Sequence, residues 1–364
     1  MYVIGARPNF VKMAPVIASM RARLPESSHV LVHTGQHYDR AMSDVFLEEL
    51  GVPDPDHMLG VGSASHAVQT ARVMERIEGV MLEERPDVVI VPGDVNSTLA
   101  ATLVAAKLGI RVAHLEAGLR SFDRTMPEEV NRIVADEFSD FLFIHSADGV
   151  ENLRKEGIED ERMHFVGNTM IDSLVAVENR FRTLEMSRRA GLARGSYLLV
   201  TLHRPALVDG PLLHEAMAQL ADVARTMPVL FPVHPRTRKM LGSDADIPGV
   251  ELMDPIGYLE FLSLEADAGA VLTDSGGVQE ETTFLGVPCF TLRDNTERPV
   301  TIREGTNTLL GLDPAAIAQI LPALEQPRTI FEPPHGWDGK AAERVADVLV
   351  AGAAGTPSPA SATG

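Results

Sequence analysis

Residues 87–116 read DVVIVPGDVNSTLAATLVAAKLGIRVAHLE, and this stretch decides the fold. Asp87–Val91 is a short apolar, β-branched run, Asn96–Leu108 is a helical segment, and Val112–Leu115 is a second short apolar run. Continuous apolar runs of this length are expected where helices cover both faces of a parallel sheet. The same alternation extends in both directions. Further strand-like runs are Tyr2–Ile4, Val30–His33, Phe141–Ile144, His164–Val166, Tyr197–Leu202, Val229–Val233, Ala270–Leu272 and Pro288–Thr291. Between them lie helical segments at Pro8–Arg23, Ser65–Glu84, Pro127–Ser139, Ile171–Arg182, Pro211–Thr226, Ser275–Leu285 and Pro314–Leu324. In Ser65–Glu84 the stripe is read as Val68, Ala71, Met74 (or Val73), Ile77 and Met81 (or Val80). Alternating strands and helices mean an α/β protein with doubly wound parallel sheets.

The chain has 364 residues, enough for about two domains. One sheet of ten or more strands is less favourable than two smaller ones, so two Rossmann-like halves are expected. The break falls between Gly167 and Ser196, across the polar, arginine-rich Thr183–Gly195. The expected domains are residues 1–168 and 169–339, with the helix 340–350 packed on the first. The end, 351–364, holds only Ala, Gly, Ser, Thr and Pro and is expected to be a disordered tail.

The formal charge is −19, which disfavours nucleic acid as a partner but not a small anion held by local arginines. No apolar run reaches the roughly 18 residues that span a bilayer, so no membrane role and a cytoplasmic location are expected. The single cysteine, Cys289, excludes a disulfide framework and a thiolate metal site.

Reactive residue types follow the strands. Arg7, Asn9 and Lys12 come after the first, Gln36 and His37 after the second, Asp94 after the third and Glu116 after the fourth. In the second half the strand ends carry His203-Arg204, His234-Pro235-Arg236, Asp274-Ser275-Gly276-Gly277 and Arg293-Asp294. Ligands of open α/β sheets bind at the carboxyl ends of strands, so one site lined from both halves, in a cleft between them, is expected. Ser275-Gly276-Gly277 opens a helix, and its free N–H groups suit a phosphate; a plain serine N-cap is the competing reading. Glu280 and Glu281 suit the dipole of that helix's first turn, or the hydroxyls of a ribose. Asp94 also suits an N-cap and Glu128 a helix dipole, but together with Glu116 they offer several carboxylates for acid/base work. His-Arg pairs at His203 and His234 suit a phosphate group, although a lone strand-end histidine is commonly structural. His114-Leu115-Glu116 resembles the start of a zinc-deaminase signature, but one cysteine cannot supply the required pair. No catalytic metal and no hydride-carrying cofactor is expected.

Several long blocks occur in order: Gly-Ala-Arg-Pro-Asn from Gly5, Gly-Gln-His from Gly35, His-Leu-Glu-Ala-Gly-Leu-Arg from His114, Pro-Glu-Glu-Val-Asn-Arg from Pro127, Val-Gly-Asn-Thr-Met-Ile-Asp from Val166, His-Arg-Pro from His203, Asp-Ser-Gly-Gly-Val-Gln-Glu-Glu from Asp274 and Arg-Asp-Asn-Thr-Glu-Arg-Pro from Arg293. From Gly5 to Gly311 the chain resembles the non-hydrolysing UDP-N-acetylglucosamine 2-epimerases. The resemblance implies a glycosyltransferase-B-like fold, UDP held mainly by the second domain, a homodimer, and interconversion of UDP-GlcNAc and UDP-ManNAc. It implies elimination of UDP to a 2-acetamidoglucal followed by re-addition, and no cofactor. It places Asp94, Glu116, Glu128 and His203 in catalysis. It gives anion or substrate contacts to Arg7, Lys12, Ser275, Gly276, Gly277, Glu281 and Arg298, and the strand-end positions of Gln36, His37, Arg204, His234 and Arg236 add these as further substrate contacts.

Two positions depart from the family's pattern. Pro205-Ala206-Leu207 stands where a short polar run is usual, which bears on rate and substrate. Tyr38-Asp39 stands where activated bacterial members carry another polar pair, so activation by a second UDP-GlcNAc is expected to be absent. The rival readings are a hydrolysing 2-epimerase that releases free ManNAc, a UDP-sugar glycosyltransferase, and a nucleotide-sugar binder without turnover.

Overall fold

The structure is a computed structural model and describes residues 1–35, 49–242, 247–326 and 331–354. The chain divides into two compact units, Met1–Ser173 with the segment from His335 onward, and Leu174–Pro334.

The first unit begins β1 (Tyr2–Ile4), α1 (Arg7–Arg23), β2 (Leu31–His33), β3 (His57–Met58), α2 (His66–Glu84), β4 (Val88–Pro92) and α3 (Asn96–Lys107). It continues β5 (Arg111–Leu115), α4 (Pro127–Phe138), β6 (Phe141–Ile144), α5 (Ala147–Lys155), β7 (Met163–Phe165) and the start of α6 (Thr169–Thr183). Its seven strands lie in the order β3-β2-β1-β4-β5-β6-β7. Neighbouring strands are parallel. The continuous apolar runs follow from burial on both faces. Tyr2 and Ile4 join Phe10, Met13 and Ile17 of α1 on one side, and Val3 joins Ile77, Met81 and Val104 of α2 and α3 on the other.

The α2 stripe differs from the one read in the sequence. Its buried residues are Gln69, Val73, Ile77 and Met81, an unbroken four-residue step, and Val68 is 44% exposed. Gln69 takes the place of an apolar residue because its amide is satisfied, donating to the Gly62 carbonyl at 2.9 Å and accepting from Asn96 at 2.7 Å.

The C-terminal helix (Ala341–Ala354) packs on α1, with Ala342, Val345 and Leu349 in the same core as Met13 and Ile17. Its first N–H groups, from Ala341 and Ala342, donate to the Asp172 carboxylate at 3.1 and 2.6 Å. The crossing of Gly167 and Gly336 needs glycine, since a Cβ on Gly167 would lie 1.9 Å from the Gly336 carbonyl oxygen. The helix runs on to Ala354, past Val350, because Ala351, Ala353 and Ala354 are strong helix formers. Residues 355–364 lie outside the described residues.

The second unit takes the rest of α6, then α7 (Met186–Arg189), β8 (Leu198–Thr201), α8 (Pro205–Val208), α9 (Leu212–Ala224), β9 (Val229–Pro232), α10 (Pro235–Leu241) and β10 (Val250–Met253). It ends with α11 (Tyr258–Asp267), β11 (Ala270–Thr273), α12 (Gly276–Leu285), β12 (Cys289–Thr291), α13 (Val300–Arg303), β13 (Asn307–Leu309), a 3₁₀ turn at Pro314–Gln319 and α14 (Ile320–Leu324). Its parallel strands lie in the order β10-β9-β8-β11-β12-β13. The polar, arginine-rich Thr183–Gly195 holds α7, which Ser187 ties to Asp267 at 2.7 Å.

Both sheets therefore reverse their order once, between β1 and β4 in the first unit and between β8 and β11 in the second. These are the topological switch points, where ligands of such sheets bind beyond the strands' carboxyl ends.

Candidate active site

At the first switch point the turn after β1 is pinned by Asn9, whose side-chain oxygen accepts from the Gly5 and Ala6 amides at 3.0 Å each. Gly5 is required there, because a Cβ would lie 2.3 Å from the Ser97 hydroxyl. One turn further along α1, the buried Lys12 ammonium forms an ion pair with Glu116. Both reach Gly93 after β4, whose Cβ, if present, would lie 3.2 Å from Lys12 Nζ and 3.4 Å from Glu116 Oε2. Gly93 has φ +63°, and Glu116 has φ +66°, a left-handed conformation that costs a non-glycine residue about 1–3 kcal/mol. Strain of this kind persists only where surrounding contacts fix it, and it aims the Glu116 carboxylate back over the strand ends.

Asp94 follows Gly93. Its carboxylate is paired with the buried Arg132 guanidinium, and its carbonyl accepts from Asn131 at 2.8 Å. Neither bond is the N-cap contact that the sequence allows; α3 begins at Asn96 after Val95. In Pro127-Glu128-Glu129 the two acids separate. Glu129 is buried and accepts from Ser121 N and Phe122 N at 2.9 Å each, and from Arg132 at 2.8 Å. It thus holds the loop after Glu116, while Glu128 is half-buried in the first turn of α4. Arg7 opens α1. Gln36 and His37 lie outside the described residues. So the first unit brings Lys12, Asp94 and Glu116 together at the ends of β4 and β5, with Arg132 as a partner the sequence did not single out.

At the second switch point Asp274 organises the turn. Its Oδ2 accepts from the His203 and Arg204 amides at 2.8 and 2.7 Å, and its Oδ1 lies 3.0 Å from His203 Nδ1. Burial works against the ionised carboxyl, but the His203 hydrogen bond and charge and these amides hold Asp274 below the usual carboxylate range. The anion fixes the histidine's Nδ1–H toward itself, so Nε2 is the nitrogen left for chemistry. The sequence signals Asp274 only as an acid at a strand end directly before a glycine-rich turn.

Ser275 is the N-cap of α12, yet its side chain makes no cap hydrogen bond, so the plain N-cap reading does not hold. A Cβ on Gly276 would sit 2.5 Å from an Arg298 nitrogen, so a larger residue there has to displace the guanidinium. Arg298 is thus laid against the glycine turn. It is held by Glu280 at 2.9 Å and Glu297 at 2.6 Å, all three buried. Glu297 also takes Arg293 at 2.8 Å and Arg204 at 3.9 Å. Three guanidinium groups thus gather at one carboxylate, and burial with the neighbouring Arg204 and Arg298 lowers the Arg293 pKa despite Glu297.

Glu280 and Glu281 stand in the second turn of α12, not the first, so neither serves the helix dipole there. Glu281 accepts from the Tyr258 hydroxyl at 2.8 Å, and burial, with the like charge of Glu280, pushes its carboxyl up to about 7. His234 is exposed at the end of β9, and Arg236 lies in the first turn of α10. Among the described residues no group of three His, Cys, Asp or Glu side chains is placed to hold a metal ion. No helix of the described residues is long and apolar enough to cross a membrane.

Two parallel-sheet α/β units of Rossmann strand order, each with a polar switch point, define a glycosyltransferase-B-like protein. The sequence profile described as UDP-N-acetylglucosamine 2-epimerase matches residues 21–350. A UDP-N-acetylglucosamine 2-epimerase of Methanococcus maripaludis is 40% identical over 95% of this chain and 97% of the relative. A UDP-2,3-diacetamido-2,3-dideoxy-D-glucuronate 2-epimerase of Pseudomonas aeruginosa is 42% identical over 85% of this chain and 87% of its own. The crystal structure of Methanocaldococcus jannaschii UDP-GlcNAc 2-epimerase in complex with UDP-GlcNAc and UDP superposes with a TM-score of 0.85 at 39% identity, covering 96% of this chain and 99% of that one. The chain belongs to the UDP-N-acetylglucosamine 2-epimerase family.

Proposed function

We propose that this protein interconverts UDP-N-acetylglucosamine and UDP-N-acetylmannosamine without hydrolysis. The C2–H of the sugar is not next to a carbonyl, so removing that proton demands a strong driving force. Loss of UDP supplies it: a base takes the C2 proton, the C1–O bond breaks, a C1=C2 bond forms and UDP departs with the electron pair. A proton then returns to the opposite face of C2 while a phosphate oxygen of UDP attacks C1. In this reading Asp94, Glu116 and Glu128 handle the protons, with Lys12 paired to Glu116 and Arg132 to Asp94. His203, oriented by Asp274, serves the departing phosphate, with Arg204 and Arg298 balancing its charge. Ser275, Gly276, Gly277 and Glu281 take the phosphate and ribose, and Arg7, Gln36, His37, His234 and Arg236 complete the substrate contacts. No cofactor is required, and a homodimer is the proposed assembly, in the cytoplasm.

The observation that carries the reading is the split between the two switch points: two carboxylates each paired with one cation, Lys12 or Arg132, at the first, and three arginines gathered at Glu297 at the second. Incubation with UDP-GlcNAc in heavy water, followed by NMR, tests it. UDP-ManNAc carrying deuterium at C2 is the expected product. Free ManNAc identifies a hydrolase instead, and absence of exchange leaves a transferase or a binder.

A second substrate is favoured by one observation, the 42% identity to the diacetamido-glucuronate 2-epimerase. The departure at Pro205-Ala206-Leu207 agrees with it. These residues form α8 with Leu207 buried, so a hydrophobic turn follows His203-Arg204 where the family carries polar side chains. The same exchange experiment with UDP-2,3-diacetamido-2,3-dideoxyglucuronate decides which sugar is turned over faster.

A further inference from the structure

We propose that His114 is a positioning residue for both catalytic turns of the first unit, a buried ring that bridges the Gly93 carbonyl and the Asp136 carboxyl group. The inference rests on the reading that Asp94 and Glu116 act on the sugar. The sequence raised His114 only as part of a deaminase signature, and the proposed reaction leaves it without a role.

The ring is fully buried on β5. Its Nε2 lies 2.6 Å from the Gly93 carbonyl oxygen, and its Nδ1 lies 2.7 Å from Asp136 Oδ1. A carbonyl only accepts, so Nε2 carries a hydrogen. Asp136 also accepts from the Arg120 guanidinium at 2.7 Å and from the Gly118 amide at 3.1 Å. Burial alone raises its carboxyl, but the charges and hydrogen bonds of His114 and Arg120 outweigh this and hold it below the ordinary range. The Nδ1–Asp136 hydrogen bond forms with the shared proton on either atom, so the bridge is set by the geometry alone. Arg120 also pairs with Glu156 at 2.5 Å, which ties the carboxylate end of the bridge to α5. The charged groups around the ring are Asp136 on α4, Arg120 on the loop after β5 with Glu156 beyond it, and, at Gly93, the Lys12–Glu116 pair.

The bridge has a clear consequence. Gly93 precedes Asp94, and Gly118 follows Glu116 by two residues. Both glycines have positive φ, +63° and +82°, as does Glu116 itself. His114 fixes the first turn directly and the second through Asp136, so one rigid connection sets both carboxylates. A side chain that makes only one of the two bonds frees one turn.

The test uses the full chain labelled with ¹⁵N-histidine. Long-range ¹H–¹⁵N spectra should show a hydrogen on His114 Nε2 that is protected from exchange with solvent, as its bond to the Gly93 carbonyl requires. A ring with no hydrogen on Nε2, or with one that exchanges freely, overturns the proposal. This reading needs no turnover, so it decides the bridge even if the substrate assignment fails. For the role, His114→Asn and His114→Gln each keep one of the two donors. Each should lower kcat on the order of 10²-fold, as misplacement of reacting groups does, with KM and UDP affinity held within about threefold. Unchanged kcat in both, or loss of UDP affinity in step with kcat, overturns the positioning role.

Discussion

The two units share one strand order and carry opposite chemistry. Strip the side chains away and β3-β2-β1-β4-β5-β6 of the first superposes in connectivity on β10-β9-β8-β11-β12-β13 of the second. At the first switch point the charged groups are Lys12, Asp94, Glu116 and Arg132, in two cation–carboxylate pairs. At the second, Arg204, Arg293 and Arg298 share Glu297, and a histidine leans on Asp274. The scaffold supplies strand ends and helix starts in both; the residues placed there decide whether the site moves protons or holds an anion. The overall charge of −19 therefore says little about the ligand.

That division can be broken in order of expected effect. Asp94→Asn and Glu128→Gln should each lower kcat by a factor on the order of 10² to 10⁴ while UDP binds as before, measured by coupled turnover and calorimetry. Wild-type turnover in both removes the first switch point from the chemistry. Arg298→Ala should act on the other half. It leaves Glu280, fully buried, without its guanidinium, at a cost of about 3–5 kcal/mol in stability, and it weakens UDP binding. An unchanged melting temperature with unchanged UDP affinity contradicts the arrangement. Asp274→Asn should lower kcat on the order of 10-fold or more by releasing His203 from its orientation, and a shifted pH–rate profile is the accompanying sign.

The smallest effect concerns pH. In the folded chain the Glu281 carboxyl is raised to about 7 from an ordinary 4.5. Between these values the folded protein keeps a proton that the unfolded chain releases, so stability is full below about 4.5 and falls as pH rises to about 7. Glu265, raised by burial and by Glu281, adds in the same direction. Thermal melts of UDP-free protein should show this slope, and Glu281→Gln should reduce it; an identical slope in the variant refutes the assignment.

The central strands and the long helices were legible because burial on both faces writes itself as unbroken apolar runs. The strands missed are β3, β10 and β13, all toward sheet edges. Edge strands are short or polar: β3 has two residues, β10 carries the exposed Glu251, and β13 is Asn-Thr-Leu. Short helices such as α7 and α10 were missed for a similar reason, since a turn or two shows no period. At the site, the candidate acids, histidines and arginines were readable from their position after strands. Their partners were not. Arg132, Asp136 and Glu297 lie 38, 22 and 93 residues from Asp94, His114 and Arg204, respectively, and only folding brings each pair together. The sequence points to Glu128 alone, and the part its neighbour Glu129 plays in holding Ser121 and Phe122 shows only in the fold.

The most direct test of the division is Glu116→Gln, assayed for both functions in one sample. Deuterium exchange at C2 of UDP-GlcNAc and the dissociation constant of UDP are measured together. Exchange slower by a factor on the order of 10² or more, with UDP affinity within about twofold of wild type, is the predicted result. Exchange at the wild-type rate, or a loss of UDP affinity that matches the loss of exchange, contradicts it.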